Sequence, residues 1–175
     1  MENISFVRFE NVTAAPLLTE KLVETYQAVF AGSPWFEQWS REQVLEDLQH
    51  EITPVSSCWL AMKKEQVIGF CWGHPITIAE LEKKLGIGTG LPGDERVAYQ
   101  AELGVLENFR GQGIARELFQ RRRIDFLRQE LVRGVVRTKE GPPPSVTYTW
   151  YLHDGYRVVA RYPDGTGRVI MTRRL

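Results

Sequence analysis

Apolar and polar positions alternate from Ile4 to Phe9, with Ile4, Phe6 and Arg8 on one side of the chain and Ser5, Val7 and Phe9 on the other. A period of two predicts an opening strand. From Pro16 to about Phe30 the period becomes helical, carried by Leu18, Leu22, Tyr26, Val29 and Phe30, and Pro16 suits a first helical position. Gly32-Ser33-Pro34 breaks that helix. The aromatic run Trp35-Phe36-Glu37-Gln38-Trp39 then leads to Ser40, an N-cap with Gln43 three residues on. A second helix is therefore predicted over Arg41 to His50.

Val55 to Met62 and Gln66 to Trp72 read as two strands of a hairpin turning at Lys63-Lys64-Glu65. A longer connection, His74 to Glu95, holds a short helical stretch (Ile78 to Leu85) and the glycine-rich GIGTGLPGD. Connections of this length are more often functional or mobile than neutral. A fourth strand is predicted from Val97 to Leu106, followed by a helix with Ile114, Ala115, Leu118, Phe119, Phe126 and Leu127 as its buried stripe. Gly134 to Arg137 reads as a short fifth strand and Gly141-Pro142-Pro143-Pro144 as a rigid connector. Ser145 to Asp154 reads as a last helix, stopped at Gly155. Tyr156 to Tyr162 and Arg168 to Thr172 form a closing hairpin around Pro163-Asp164-Gly165.

The chemistry concentrates between the fourth strand and its helix, in AELGVLENFRGQGIAREL from Ala101 to Leu118. Gly111 and Gly113 let the backbone turn tightly and leave it open to another group. The following helix offers unpaired N–H groups and the positive end of its dipole, a combination suited to phosphate or pyrophosphate. The Gly-Lys-Ser/Thr ending of a Walker loop is missing, and so is the three-glycine dinucleotide fingerprint with its acidic residue. The segment resembles the coenzyme A loop of the GNAT N-acetyltransferase superfamily, Gln/Arg-x-x-Gly-x-Gly/Ala, with Arg110, Gly113 and Ala115 at the three defining positions. The preceding Glu-Leu-Gly-Val is similar to that family's fourth strand, and the order of strands and helices matches the fold along essentially the whole chain.

The resemblance implies one α/β domain over residues 1–175, with a mixed, twisted sheet of about seven strands flanked by helices. It implies acetyl-CoA as co-substrate. Pantetheine would pair with the fourth strand around Leu103 and Val105, and the pyrophosphate would lie on Arg110, Gly111, Gln112, Gly113, Ile114 and Ala115, with Arg116 in reach. Arg121-Arg122-Arg123 could reach the same phosphates, but charge runs on helices are usually solvated faces. Trp150-Tyr151-Leu152-His153-Asp154-Gly155-Tyr156 looks like the family's Leu-Tyr-x-x-x-Gly-Phe element, which makes Tyr151 the candidate acid for the departing thiolate. The alternative is a tyrosine packed for its ring. Upstream the chain departs from the family: Pro144 stands where an asparagine is common and Thr147 where an alanine is usual.

A base must remove a proton from an alkylammonium acceptor. Glu102 leads, with Tyr99 and Glu37 behind it. Alternation places Tyr99, Ala101, Leu103 and Val105 on one face of the strand and Gln100, Glu102 and Gly104 on the other. A glutamate in an apolar strand is costly unless paired, exposed or used, and a salt bridge to an arginine is the competing account of Glu102. Trp35, Phe36 and Trp39, with Glu37 and Tyr99, are candidates to line an acceptor pocket for a primary amine on a small molecule or peptide. The aromatic residues could equally be core. The insertion from His74 to Glu95 is expected to wall the same side.

Composition narrows the alternatives. The 175 residues suit one domain, and 22 basic side chains balance 22 acidic ones. That neutrality argues against nucleic acid and anionic membranes as partners. No apolar run approaches a membrane span and no signal-peptide core opens the chain, so a cytoplasmic location is the expectation. Cys58 and Cys71 sit in apolar strands and read as reduced core thiols, and His50, His74 and His153 lack metal-ligand spacing. No metal is expected, and a homodimer stays open. Two other readings remain: a non-catalytic acyl-CoA-binding or sensor domain of the same fold, and a nucleotide-binding regulatory domain.

Overall fold

The computed structural model describes residues 4–175. The strand order is β1(Ile4–Arg8), β2(Ser57–Lys63), β3(Gln66–Thr77), β4(Arg96–Val105), β5(Arg133–Lys139), β7(Arg168–Arg174), β6(Arg157–Arg161), a seven-stranded mixed sheet. The helices are α1(Pro16–Ala31), α2(Arg41–Glu51), α3(Ile78–Leu85), α4(Ile114–Arg128) and α5(Val146–His153). The described residues divide into two compact units, 4–74 with 101–125, and 75–100 with 126–175.

In the first unit, β1 pairs antiparallel with β2 from Ile4↔Lys63 to Arg8↔Trp59, and β2 with β3 from Ser57↔Gly73 to Lys63↔Gln66. Lys64 turns that hairpin at φ +53°. Helix α1 opens on Pro16, and α2 carries the capping box foreseen at Ser40 and Gln43. The Ser40 hydroxyl accepts from the Gln43 N–H at 3.2 Å, and the Gln43 side chain accepts from the Ser40 N–H at 2.8 Å. These helices bury Leu22, Tyr26, Val29, Phe30, Val44 and Leu48 against Leu60, Phe70 and Trp72. A second cluster joins Ile114 and Leu118 of α4 to Ala61, Ile68, Cys71 and Val105. Leu103 packs there too, but Ala101 packs against the α1-side cluster, so the alternation expected along β4 does not hold at that residue.

Helix α4 departs from its predicted face in two places. Leu127, expected in the stripe, is exposed, whereas Arg122, in the run expected to be solvated, has 0% of its surface exposed. Its Nη1 donates to the Trp72 carbonyl at 2.8 Å and the Glu102 carbonyl at 2.5 Å. Asp125, one turn on and also buried, accepts from the Ser57 hydroxyl at 2.7 Å and the Trp59 indole at 2.8 Å, and meets Arg8 at 3.3 Å. Buried charges persist only with partners of this kind.

In the second unit, β4 and β5 run parallel at Ala98↔Gly134 and Tyr99↔Val135, and β5–β7–β6 are antiparallel. Strand β5 is longer than predicted because its register with β7 continues to Lys139↔Arg168. The glycine-rich connection is tied down: Glu82 accepts from both the N–H and the hydroxyl of Thr89, and Tyr162 donates to the Leu85 carbonyl at 2.9 Å. Its helix α3 begins with a Thr77–Glu80 capping box and ends at a left-handed Gly86.

Cys58 and Cys71 are both buried core thiols, with Cys71 donating to the Leu118 carbonyl at 3.3 Å. Burial pushes the Cys71 thiol from 9.0 up to about 11, against the opposing pull of Arg122. The folded state therefore holds the proton more tightly than the unfolded chain. Its contribution to stability is complete below pH 9 and disappears as the pH rises to about 11, amounting to about 3 kcal/mol at most. Denaturant unfolding across that range should show a steeper loss in the native chain than in Cys71→Ala. At pH 8 a thiol reagent should label neither cysteine before unfolding.

Candidate active site

Strand β4 ends at Val105, and the Leu106 N–H donates to the Ile68 carbonyl of β3 at 2.9 Å. A single 3-10 turn over Glu107–Phe109 follows. Arg110 then folds back, its Nε donating to the Val105 carbonyl at 3.1 Å, and the Gln112 amide reaches the Asn108 carbonyl at 3.5 Å. Gly111 and Gly113 stand at φ +76° and +80°. A Cβ at either would meet nothing within 4 Å, so these positions need glycine for the left-handed backbone, and the space above them is open.

The Gly113 carbonyl accepts from the Glu117 N–H at 3.1 Å, which begins the ladder of α4. The N–H groups of Ile114, Ala115 and Arg116 precede that ladder and have no partner within the helix. Ile114 is buried against Val105 and Leu118 and holds the helix start to the strand end, while Arg116 is exposed beside the loop. Negative charge is favoured here by the helix dipole and the converging N–H groups. Arg121 is engaged elsewhere: it lies 5.0 Å over the rings of Phe6 and Trp59 and pairs with Glu117 at 2.8 Å.

The edges of β4 follow from its bonds. Because Leu106 donates toward β3 and the Glu102 carbonyl meets Arg122 beside the Trp72 carbonyl, residues 102, 104 and 106 turn their main-chain groups toward β3. Leu103 and Val105 turn theirs to the opposite edge. A Cβ on Gly104 would stand 2.6 Å from Phe70 and 2.8 Å from Val29, so its side-chain direction, shared by Glu102, is toward α1.

On that face the structure brings Glu102 and Glu37 together around Tyr26. Burial, followed by the charges of Glu102, Asp47, Glu37 and Glu51, raises the Tyr26 hydroxyl far above its ordinary value. Trp72 donates to Glu51 at 2.6 Å and Trp39 to Glu37 at 3.1 Å. Tyr26, Asp47, Glu51 and Trp72 were not legible as a group in the sequence. Helical spacing shows Tyr26 on a buried face, but only the packing of α1, α2 and β3 assembles the carboxylates around it.

The aromatic segment divides. Trp35 packs 6.0 Å from Phe30 and Trp39 meets Tyr26 edge-on at 5.8 Å, both against the core. Phe36 is 69% exposed at φ +52°. In the second unit, Tyr99 is buried in the ladder with Val135. Tyr151, on α5, is 4% exposed and packs between Trp150 at 5.3 Å and Tyr156 at 4.9 Å. The Tyr156 hydroxyl accepts from Gln100 at 2.8 Å. The Ser145 hydroxyl caps α5 and, with Thr138, bonds Thr147, the residue standing in place of the expected alanine. Among the described residues no three His, Cys, Asp or Glu side chains are grouped to hold a metal, and no helix is long and apolar enough to cross a membrane.

The model of the Acetyltransferase (GNAT) family matches residues 20–140. Solved structures share the fold over nearly the full chains. An acetyltransferase from Streptococcus agalactiae is 16% identical with a TM-score of 0.71, covering 100% of both chains. The PaiA N-acetyltransferase of Thermoplasma acidophilum, in complex with coenzyme A, is 16% identical with a TM-score of 0.63, covering 99% of both. Arabidopsis thaliana NAA60, in complex with a bisubstrate analogue, is 18% identical with a TM-score of 0.64, covering 98% of both. No curated protein sequence matches significantly.

The two parts of the aromatic segment should respond differently to truncation. Trp39→Ala removes a ring packed on the core and should lower unfolding stability by about 2 kcal/mol. Phe36→Ala should stay within about 0.5 kcal/mol of the native chain in the same denaturant titration, as an exposed position does.

Proposed function

The chain belongs to the GNAT acetyltransferase family, and on that premise we propose that it transfers acetyl from acetyl-CoA to the primary amine of a small molecule or peptide by direct attack in a ternary complex. The observation that carries this reading is the loop from Arg110 to Ala115. Two left-handed glycines with open space above them lead into the first turn of α4. The residues fit a pyrophosphate, because N–H groups converge there without side chains in the way.

Bound acetyl-CoA supplies an activated acyl group, a thioester whose sulfur leaves readily. The chain supplies position and protons. Leu103 and Val105 turn their main-chain N–H groups to the edge of β4 away from β3, suited to pantetheine and to negative charge developing on the acyl oxygen, while the Val105 carbonyl is taken by Arg110. Glu102 is the proposed base, taking a proton from the attacking amine, with Tyr99 and Glu37 as the alternatives. Tyr151 is the proposed acid, giving its hydroxyl proton to the departing sulfur as the carbon–sulfur bond breaks. Glu37 and Glu102, near Trp39 and Tyr26, favour a cationic acceptor, and the exposed Phe36 is proposed to meet it. The same acidic face makes a primary amine the preferred acceptor.

A non-catalytic acyl-CoA-binding domain is the second reading, favoured by one observation: Tyr151 is packed between two rings. Tyr151→Phe separates the two. As a general acid, its loss should lower kcat roughly ten- to a thousand-fold with little change in KM for acetyl-CoA. Thiol release against an amine library measures this, since both protein thiols are buried. Unchanged turnover by the variant would leave Tyr151 a packing residue.

Gly113→Asp tests the loop. Aspartate tolerates the left-handed backbone better than most residues, but its charge would stand where the pyrophosphate must lie. Calorimetry should show coenzyme A binding lost, with the thermal unfolding transition retained. Undiminished binding by a folded variant rejects the loop assignment.

A further inference from the structure

Arg122 is a large guanidinium side chain with no exposed surface, and the proposed acyl transfer does not use it. Its placement is specific. A single nitrogen, Nη1, has two hydrogens, and it gives one to the carbonyl of Trp72 on β3 and one to the carbonyl of Glu102 on β4. Structural burial alone would be satisfied by any two acceptors. Here one of them belongs to the peptide unit that ends in the Leu103 N–H.

That peptide unit is planar and trans, so its carbonyl and its N–H point in opposite directions. With the Glu102 carbonyl turned toward β3 and Arg122, the Leu103 N–H is aimed at the other edge of β4. A cation hydrogen-bonded to a carbonyl also polarises the amide, and the N–H of that unit becomes the stronger donor. Charge-assisted bonds of this kind strengthen further where water is excluded. The next outward-facing donor, the Val105 N–H, belongs to the Gly104 peptide, and the bonds that Arg122 makes go to Trp72 and Glu102 instead.

We propose that Arg122 is a positioning residue for acyl transfer: it fixes and polarises the Glu102–Leu103 peptide, so that the Leu103 N–H is the principal donor to the acyl oxygen. This rests on the acyl-transfer reading of β4, and it adds a residue on α4 that touches neither donor nor acceptor. Lysine at 122 would keep a charge and donors enough for both carbonyls, but on a shorter and more flexible arm that holds them less rigidly. Methionine would keep much of the length and lose the cation.

The test compares the native chain, Arg122→Lys and Arg122→Met, each first shown to unfold cooperatively. Without any ligand, the Leu103 amide proton in Arg122→Met should move upfield by more than that of Val105, with Arg122→Lys between. With acetyl-CoA labelled with carbon-13 at the acetyl carbonyl, infrared difference spectra should show the carbonyl band lowered by the native chain. In Arg122→Met the band should return toward its position in free solution while calorimetric affinity for coenzyme A stays within about three-fold. A band unmoved by Arg122→Met, or a Leu103 proton that shifts no more than Val105, overturns the proposal. If Arg122→Met does not fold, the same two readings on Arg122→Lys decide. Failure of the native chain to bind coenzyme A would refute the acyl-transfer reading, and the ligand-free Leu103 shift would still report on Arg122.

Discussion

One turn of α4 carries two buried charges, and their partners lie on four strands. Asp125 takes Ser57 and Trp59 of β2 and Arg8 of β1, while Arg122 takes the main chain of β3 at Trp72 and of β4 at Glu102. A helix held only by apolar side chains can slide or roll by a fraction of an ångström at little cost. One that buries a guanidinium and a carboxylate cannot, since each displaced bond leaves a desolvated polar group without compensation. The setting of α4 against β1 to β4 is therefore specified by polar geometry as much as by packing.

The loop from Leu106 to Gly113 inherits that precision. It spans only the gap between Val105 and Ile114, two residues already in contact in the same core cluster. A short connection between fixed ends has few conformations, and two of its residues must turn left-handed to close it. The open space over Gly111 and Gly113 is a consequence of this route: the backbone itself forms the surface there. Backbone on a short loop anchored at both ends is held in one conformation with little freedom to reorganise.

The α1-facing side of β4 has a different character. Gly104 leaves no room for a side chain beneath Phe70 and Val29, and Glu102 beside it joins Glu37, Asp47 and Glu51 in acting on Tyr26. Trp72 and Trp39 each spend their indole N–H on one of these carboxylates. Two of the carboxylates on this face are thus satisfied in part by indole donors.

Much of this was legible in the sequence because it is local. The change from period two to period 3.6, the Ser40–Gln43 box and the glycines at 111 and 113 depend on residues within a turn of one another. The backbone there obeys the same sterics in any context. The family resemblance rests on the same local motif and on the order of the elements. What the chain could not disclose is which long side chains are buried and what they meet. Arg121, Arg122 and Arg123 are identical residues in one run, yet one lies over two aromatic rings and one is buried against two carbonyls. Leu127 is exposed, although its helical phase suggested the core. Trp35 and Trp39 joined the core while Phe36 between them did not. In each case the outcome depends on the surface packed opposite, supplied by residues tens of positions away. Burial energy is a property of that contact and not of the residue alone.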